Sequence, residues 1–156
     1  MLNHNTKSCT TRIVDKSVQL SLSLFPQAYS KKRGYRTFHF AFGWKKNELL
    51  AIGQNDPDKP SGKALKFARM FNTRQTMAYP YLHAEIDVVS RLWGKVHIDN
   101  NIKIVVVRLN KTGQIQNSKP CKSCKTVLDA LNVEDIWWST NEGITDGKVL
   151  HRVSGH

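Results

Sequence analysis

The run "NIKIVVVRLN" (residues 101–110) constrains the fold of this chain more than any other stretch. From Ile102 to Leu109 its apolar side chains follow one another almost without alternation. A strand with one face in water alternates, so a strand of this kind must be covered on both faces. Helical patterns flank it. Upstream, "LHAEIDVVSRLWG" (82–94) sets Ile86, Val89 and Trp93 at i, i+3 and i+7 and stops at Gly94. Downstream, "CKSCKTVLDALN" (121–132) opens a second helix, and "VEDIWWST" (133–140) reads as a further strand. Helices crossing between strands argue for an α/β sandwich around a single sheet.

The remaining segments fit that frame. "TFHFAFGW" (37–44) and "ELLAIGQN" (48–55) read as a hairpin, "KALKFARMFN" (63–72) as a helix with Phe67 and Phe71 on its apolar face, and "KVLHRV" (148–153) as a last strand. "DPDKPSG" (56–62), "TRQTMAYPY" (73–81), "KTGQIQNSKP" (111–120) and "NEGITDG" (141–147) read as loops. Residues 1–12 are polar and expected to be loose, leaving 13–156 as one domain. "VDKSVQLSLSLFPQAY" fits two descriptions. Val18, Leu20, Leu22 and Leu24 alternate as in a strand, whereas Val14, Val18, Leu22 and Phe25 share a helix face that Asp15 would cap, with Pro26 limiting its continuation. Trp137 and Trp138 adjoin on a strand and must point to opposite faces.

Three cysteines do not make a disulfide framework, and Cys9 stands apart as a free thiol. With no apolar run near the ~20 residues of a membrane span, and no apolar core in "MLNHNTKSCTTR", an intracellular, cytoplasmic setting without membrane or signal peptide is expected. The other two cysteines form "PCKSC" (120–124) at a helix start. A redox pair belongs in a thioredoxin-like unit, which an opening hairpin does not provide. A structural zinc site wants four protein ligands. His83, which starts the preceding helix one strand earlier, supplies one candidate partner. His83, Cys121 and Cys124 then make three ligands and leave a fourth position open, as in catalytic zinc sites. Thiolates are favoured at a helix N-terminus. Glu85 follows His83 by two residues, close enough to move a proton without being a ligand.

"HAE" (83–85) followed by "PCKSC" resembles the signature of the zinc-dependent cytidine and deoxycytidylate deaminase superfamily, H-x-E … P-C-x-x-C. The resemblance runs in element order over about residues 37–153. It implies a three-layer α/β/α sandwich around one mixed five-stranded sheet, and one Zn²⁺ per chain held by His83, Cys121 and Cys124. It also implies Glu85 as the proton carrier, and attack by water activated at the metal on C4 of cytosine, giving uracil, or on C6 of adenine. Ala84 would face the base, and Asn55, at the end of its strand, would contact sugar or base. Trp138 is a candidate for stacking on a base near the pocket mouth.

Three features bear on the substrate. His rather than Cys before Ala84-Glu85 resembles the deoxycytidylate and polynucleotide members. The seven residues Asn141 to Gly147 are too few for a parallel crossover, which needs about a dozen, so the last two strands are expected to be antiparallel. That tail resembles the branch that includes cytidine deaminase, not the branch of tRNA adenosine deaminases. The third is charge: 24 basic against 12 acidic residues give +12, and an excess of this size attracts polyanions. The basic residues gather as Lys31, Lys32, Arg33 and Arg36; as Lys63, Lys66, Arg69 and Arg74; and as Lys119, Lys122 and Lys125. These groups read as contacts to a nucleic-acid backbone, with single-stranded DNA ahead of RNA. Free deoxycytidine, cytidine or deoxycytidylate is the alternative substrate. A silent zinc module that only binds nucleic acid has no use for Glu85.

Overall fold

The structure, a computed structural model, describes residues 9–31, 37–71 and 81–153. Its elements in chain order are α1 (Cys9–Lys31), β1 (Thr37–Lys45), β2 (Glu48–Gln54), β3 (Asp56–Pro60), α2 (Gly62–Phe71), β4 (Tyr81–Leu82), α3 (Ala84–Leu92), β5 (Ile102–Asn110), β6 (Ile115–Gln116), α4 (Lys122–Ala130), β7 (Asp135–Ser139), β8 (Gly143–Thr145) and β9 (Leu150–Arg152). Seven strands form a mixed sheet in the order β2-β1-β5-β7-β8-β9, with β6 paired to β5, and β3 and β4 make a small separate ladder.

The expected three layers are present, and the central strand divides them. Val105, Val107 and Leu109 of β5 join Phe38, Phe40, Phe42 and Trp44 of β1 under α1, which contributes Ile13, Val14 and Val18. Ile102, Ile104 and Val106 point to the other face, where Val88, Val89 and Leu92 of α3, Val127 and Leu128 of α4 and Phe67 of α2 cover them. Covering on both sides is why this strand reads as an uninterrupted apolar run. The two tryptophans divide as expected: Trp137 is buried in the α1 layer, and Trp138 packs against the opposite one.

Several expectations are corrected. The sheet has seven strands rather than five. The segment 141–147, expected to be a loop, holds β8 between the two strands that were expected to pair. The last two strands are antiparallel, but they are β8 and β9, and β7 pairs with β8. The ambiguous first segment is a helix. It starts at Cys9, so residues 9–12 are helical and Asp15 lies inside the helix rather than capping it. Pro26 does not end the helix, which runs on to Lys31; the proline removes one backbone bond on the exposed side while Ala28 beyond it stays buried. Short strands also occupy parts of the expected loops at 56–62, 73–81 and 111–120. Among the described residues no helix is long and apolar enough to cross a membrane.

Parallel pairing of β5 with β7 orients the functional face. α3 precedes β5 and α4 follows it, so both helix N-termini lie at the carboxyl end of β5. The start of β1 arrives there too, because Thr37 pairs with Asn110 in the antiparallel ladder.

Candidate active site

His83 is the N-cap of α3, and Cys121 is the N-cap of α4. The His83 Nδ1 lies 3.5 Å from the Cys121 Sγ and 3.3 Å from the Cys124 Sγ. The three donor atoms fall within 4.8 Å of one another. The Cys124 backbone N–H donates to the Cys121 sulfur at 3.5 Å, so this thiolate caps its own helix. One imidazole nitrogen and two thiolate sulfurs are the donor set that suits Zn²⁺. These residues fit the ion, and three of them leave a coordination position for water or substrate.

Two local devices seat the ligands. Gly53 of β2 lies directly beneath α3: a Cβ there would stand 2.4 Å from the Val88 nitrogen and 2.5 Å from the Ala84 oxygen. Glycine therefore lets the first turn of α3, with His83 and Glu85, settle onto the sheet. The loop bearing Cys121 is held by serines. Ser118 Oγ donates to the Val106 carbonyl at 2.8 Å, Ser139 Oγ donates to the Gln116 carbonyl at 2.6 Å, and the Ser139 N–H donates to Ser118 Oγ at 2.8 Å. This buried network fastens the segment before the cysteines to β5 and β7.

Glu85 is only 4 % exposed, and burial raises its carboxyl pKa above the usual carboxylate range. The Cys121 thiol is lowered to about 4, first by its hydrogen bond with Cys124 and also by that with His83, against the effect of burial. Cys124 moves the other way, through its bond to Cys121 and through burial. The hydrogen bond with Cys121 is the main cause that raises His83. Even without metal, this arrangement favours one thiolate.

A cleft of about 380 Å³ opens beside these groups, and Glu85, Ala84, Asn55 and Lys119 are among its lining residues. Asn55 stands in the wall with its carboxamide engaged: Oδ1 accepts from the His39 N–H at 2.9 Å, and Nδ2 donates to the Thr37 carbonyl at 3.4 Å. Trp138 does not line this cleft. It lies in an adjoining recess of about 170 Å³ that shares Lys119, whose Nζ sits 5.9 Å from the indole centroid. Lys31 and Lys63 line a third recess. Lys66, Arg69 and Lys122 are exposed and line none of the three, and Lys125 is paired with Asp129. Lys32, Arg33, Arg36 and Arg74 lie outside the described residues. Cys9 is far from the centre in its contacts, donating to Asn47 Oδ1.

Thr37, His39, Tyr81 and Leu82 also line the cleft and were not singled out in the sequence. His39 alternates within β1 and reads as a structural residue. The same alternation that sends Phe38 and Phe40 under α1 sends His39 to the metal face. Its partner across the ladder is Arg108, whose Nε is buried without a hydrogen-bond partner among the described residues. Burial, Arg108 and His83 together lower the His39 pKa to about 4, so it is neutral at neutral pH. As pH falls from 6.5 towards 4, the unfolded chain takes up this proton before the folded one does, and stability is lost in that window. His39→Gln is expected to flatten the decline in urea midpoint between pH 7 and pH 5; an unchanged decline would place its source elsewhere.

Among solved structures, the crystal structure of cytidine deaminase from Mycobacterium leprae resembles this chain with a TM-score of 0.51 and 15% sequence identity, over 84% of this chain and 90% of that one. The likeness establishes the fold as that of a cytidine deaminase. Comparison with protein-family models and with curated proteins returns no match.

Proposed function

We propose that this protein is a zinc-dependent deaminase that converts cytosine to uracil in nucleic acid, acting on single-stranded DNA in preference to RNA. The convergence of His83, Cys121 and Cys124 at two helix N-termini, with Glu85 buried beside them in a cleft, carries this reading. The cytidine deaminase fold supports it. Zinc held by these three residues would supply the Lewis acidity that makes water a usable nucleophile near neutral pH. Glu85 takes one proton from that water and gives it to the ring nitrogen, then takes the second proton from the same oxygen, now bonded to the ring carbon, and gives it to the departing amine. Cytosine and water thus become uracil and ammonia. Ala84 and Asn55 form walls against which the base and its sugar lie. A base can enter such a cleft only when it is unstacked, so the strand must be single or the base flipped.

The net charge of +12 and the position of Lys119 between the cleft and the Trp138 recess favour a polynucleotide. The name of the Mycobacterium leprae protein favours a second reading, deamination of free deoxycytidine, cytidine or deoxycytidylate. One experiment separates them. The purified protein is expected to carry about one zinc per chain, as three ligands of one site imply. It is expected to form uracil in a single-stranded cytosine oligonucleotide faster than in the matching duplex, an RNA of the same sequence, or deoxycytidylate. Turnover of deoxycytidylate alone would overturn the polynucleotide reading. Turnover by metal-free protein would overturn the zinc chemistry.

A further inference from the structure

A recess of about 290 Å³ lies next to the cleft and shares Asn55 and Leu82 with it. Three cationic side chains line it, each from a different helix: Lys31 from the last turn of α1, Lys63 from α2 and Arg91 from α3. Lys63 and Arg91 are organised by one carboxylate. Asp87, whose side chain is 3 % exposed, accepts from Lys63 Nζ at 3.2 Å and from Arg91 Nε at 3.1 Å. The same carboxylate accepts from the Gln54 N–H at 2.9 Å, one residue before Asn55. The side chains of Lys63 and Arg91 are nevertheless about half exposed, at 48 % and 51 %. Asp87 thus holds Arg91 through Nε and Lys63 through its terminal Nζ, while both side chains stay half open to solvent.

Charge follows from the lining. Three cations face Asp87 and Asp56, which leaves the recess with a net charge of +1, added beside a cleft whose wall is Asn55. A base in the cleft with its sugar against Asn55 leads its backbone out past that wall. Cations fixed by a buried carboxylate lose little freedom on meeting a phosphate, and Arg and Lys are the side chains that meet one.

We propose that this recess is a phosphate subsite, in which Arg91, Lys63 and Lys31 hold the backbone of a single-stranded nucleic acid adjacent to the nucleotide in the cleft. The assignment rests on the polynucleotide reading above. Arg91 enters it from position alone, since it belongs to none of the basic clusters of the sequence.

The test measures binding of a fluorescein-labelled single-stranded DNA with one central cytosine, by anisotropy across a salt series. Each phosphate contact on a single strand contributes about 0.7 to the slope of log Kd against log salt. Lys31→Gln and Arg91→Gln are each expected to lower the slope by about that amount, and to weaken binding several-fold at low salt. Lys31→Arg, which keeps the charge, is expected to restore the wild-type slope; a purely structural role for the side chain would not give that split. Lys31→Gln alters an exposed helix end and keeps the test open if Arg91→Gln does not fold. Wild-type slopes in the Gln variants of a protein that does bind and deaminate the oligonucleotide would overturn the subsite alone. A wild-type protein that neither binds nor deaminates it would overturn the polynucleotide reading, and the subsite with it.

Discussion

Glu85→Gln is expected to keep the fold and the zinc and to lose turnover by about 10²–10⁴-fold, the range that a positioned proton carrier supplies. Glutamine has nearly the same shape and keeps one acceptor oxygen, but it cannot accept a proton from water and return it. The buried surroundings also predict the sign of the stability change. A carboxyl whose folded pKa is raised contributes stability that is present at low pH and lost as pH rises through that pKa. Burial of an ionisable carboxyl therefore costs the wild-type fold stability as pH rises, a cost that glutamine removes. The variant should melt no lower than wild type while turning over far less, the usual trade between stability and chemistry at a functional site. Turnover within tenfold of wild type would remove Glu85 from the proton path.

Gly53→Ala is expected to damage the fold and the site together. Its new methyl would press on backbone atoms of α3, at 2.4 and 2.5 Å, and backbone cannot rotate aside as a side chain does. Overpacking of this kind costs about 3 kcal/mol or more, which for a domain of this size lowers the melting temperature by about 6–12 °C. The helix that must move carries Ala84 and Glu85 and follows His83 directly. Loss of zinc affinity should accompany the thermal shift, and calorimetry with metal analysis would register both. A wild-type melting temperature with full zinc content would mean that α3 is not seated as tightly as the contacts require.

What could be read from the sequence is what local periodicity encodes. The covered strand β5, the hairpin of β1 and β2, and the helices bearing His83 and Cys121 all show in side-chain spacing, and the expected ligands meet in space. α1 did not show plainly, because two serines sit in its buried stripe. Ser17 accepts from the Trp44 indole at 3.0 Å, and both serines donate to carbonyls one turn back, so polar residues interrupt what would otherwise be an apolar helix face. β8 is three residues long, too short for a periodicity to register, and it is defined by its two neighbours. The cleft walls were harder still. Alternation sets His39 opposite Phe38 and Phe40, but that its face is the one that lines the cleft, and that Tyr81 reaches it, follows from strand register and chain path, which no local pattern records.

The serine ties before the cysteine loop bear on how the centre would acquire a metal. Ser118 and Ser139 anchor that segment to β5 and β7 through bonds that involve no ligand atom. Folding itself therefore removes most of the loop's conformational freedom. Capture of an ion would then have little left to order, and the free energy of coordination would go to affinity and to selection among metals rather than to building the domain.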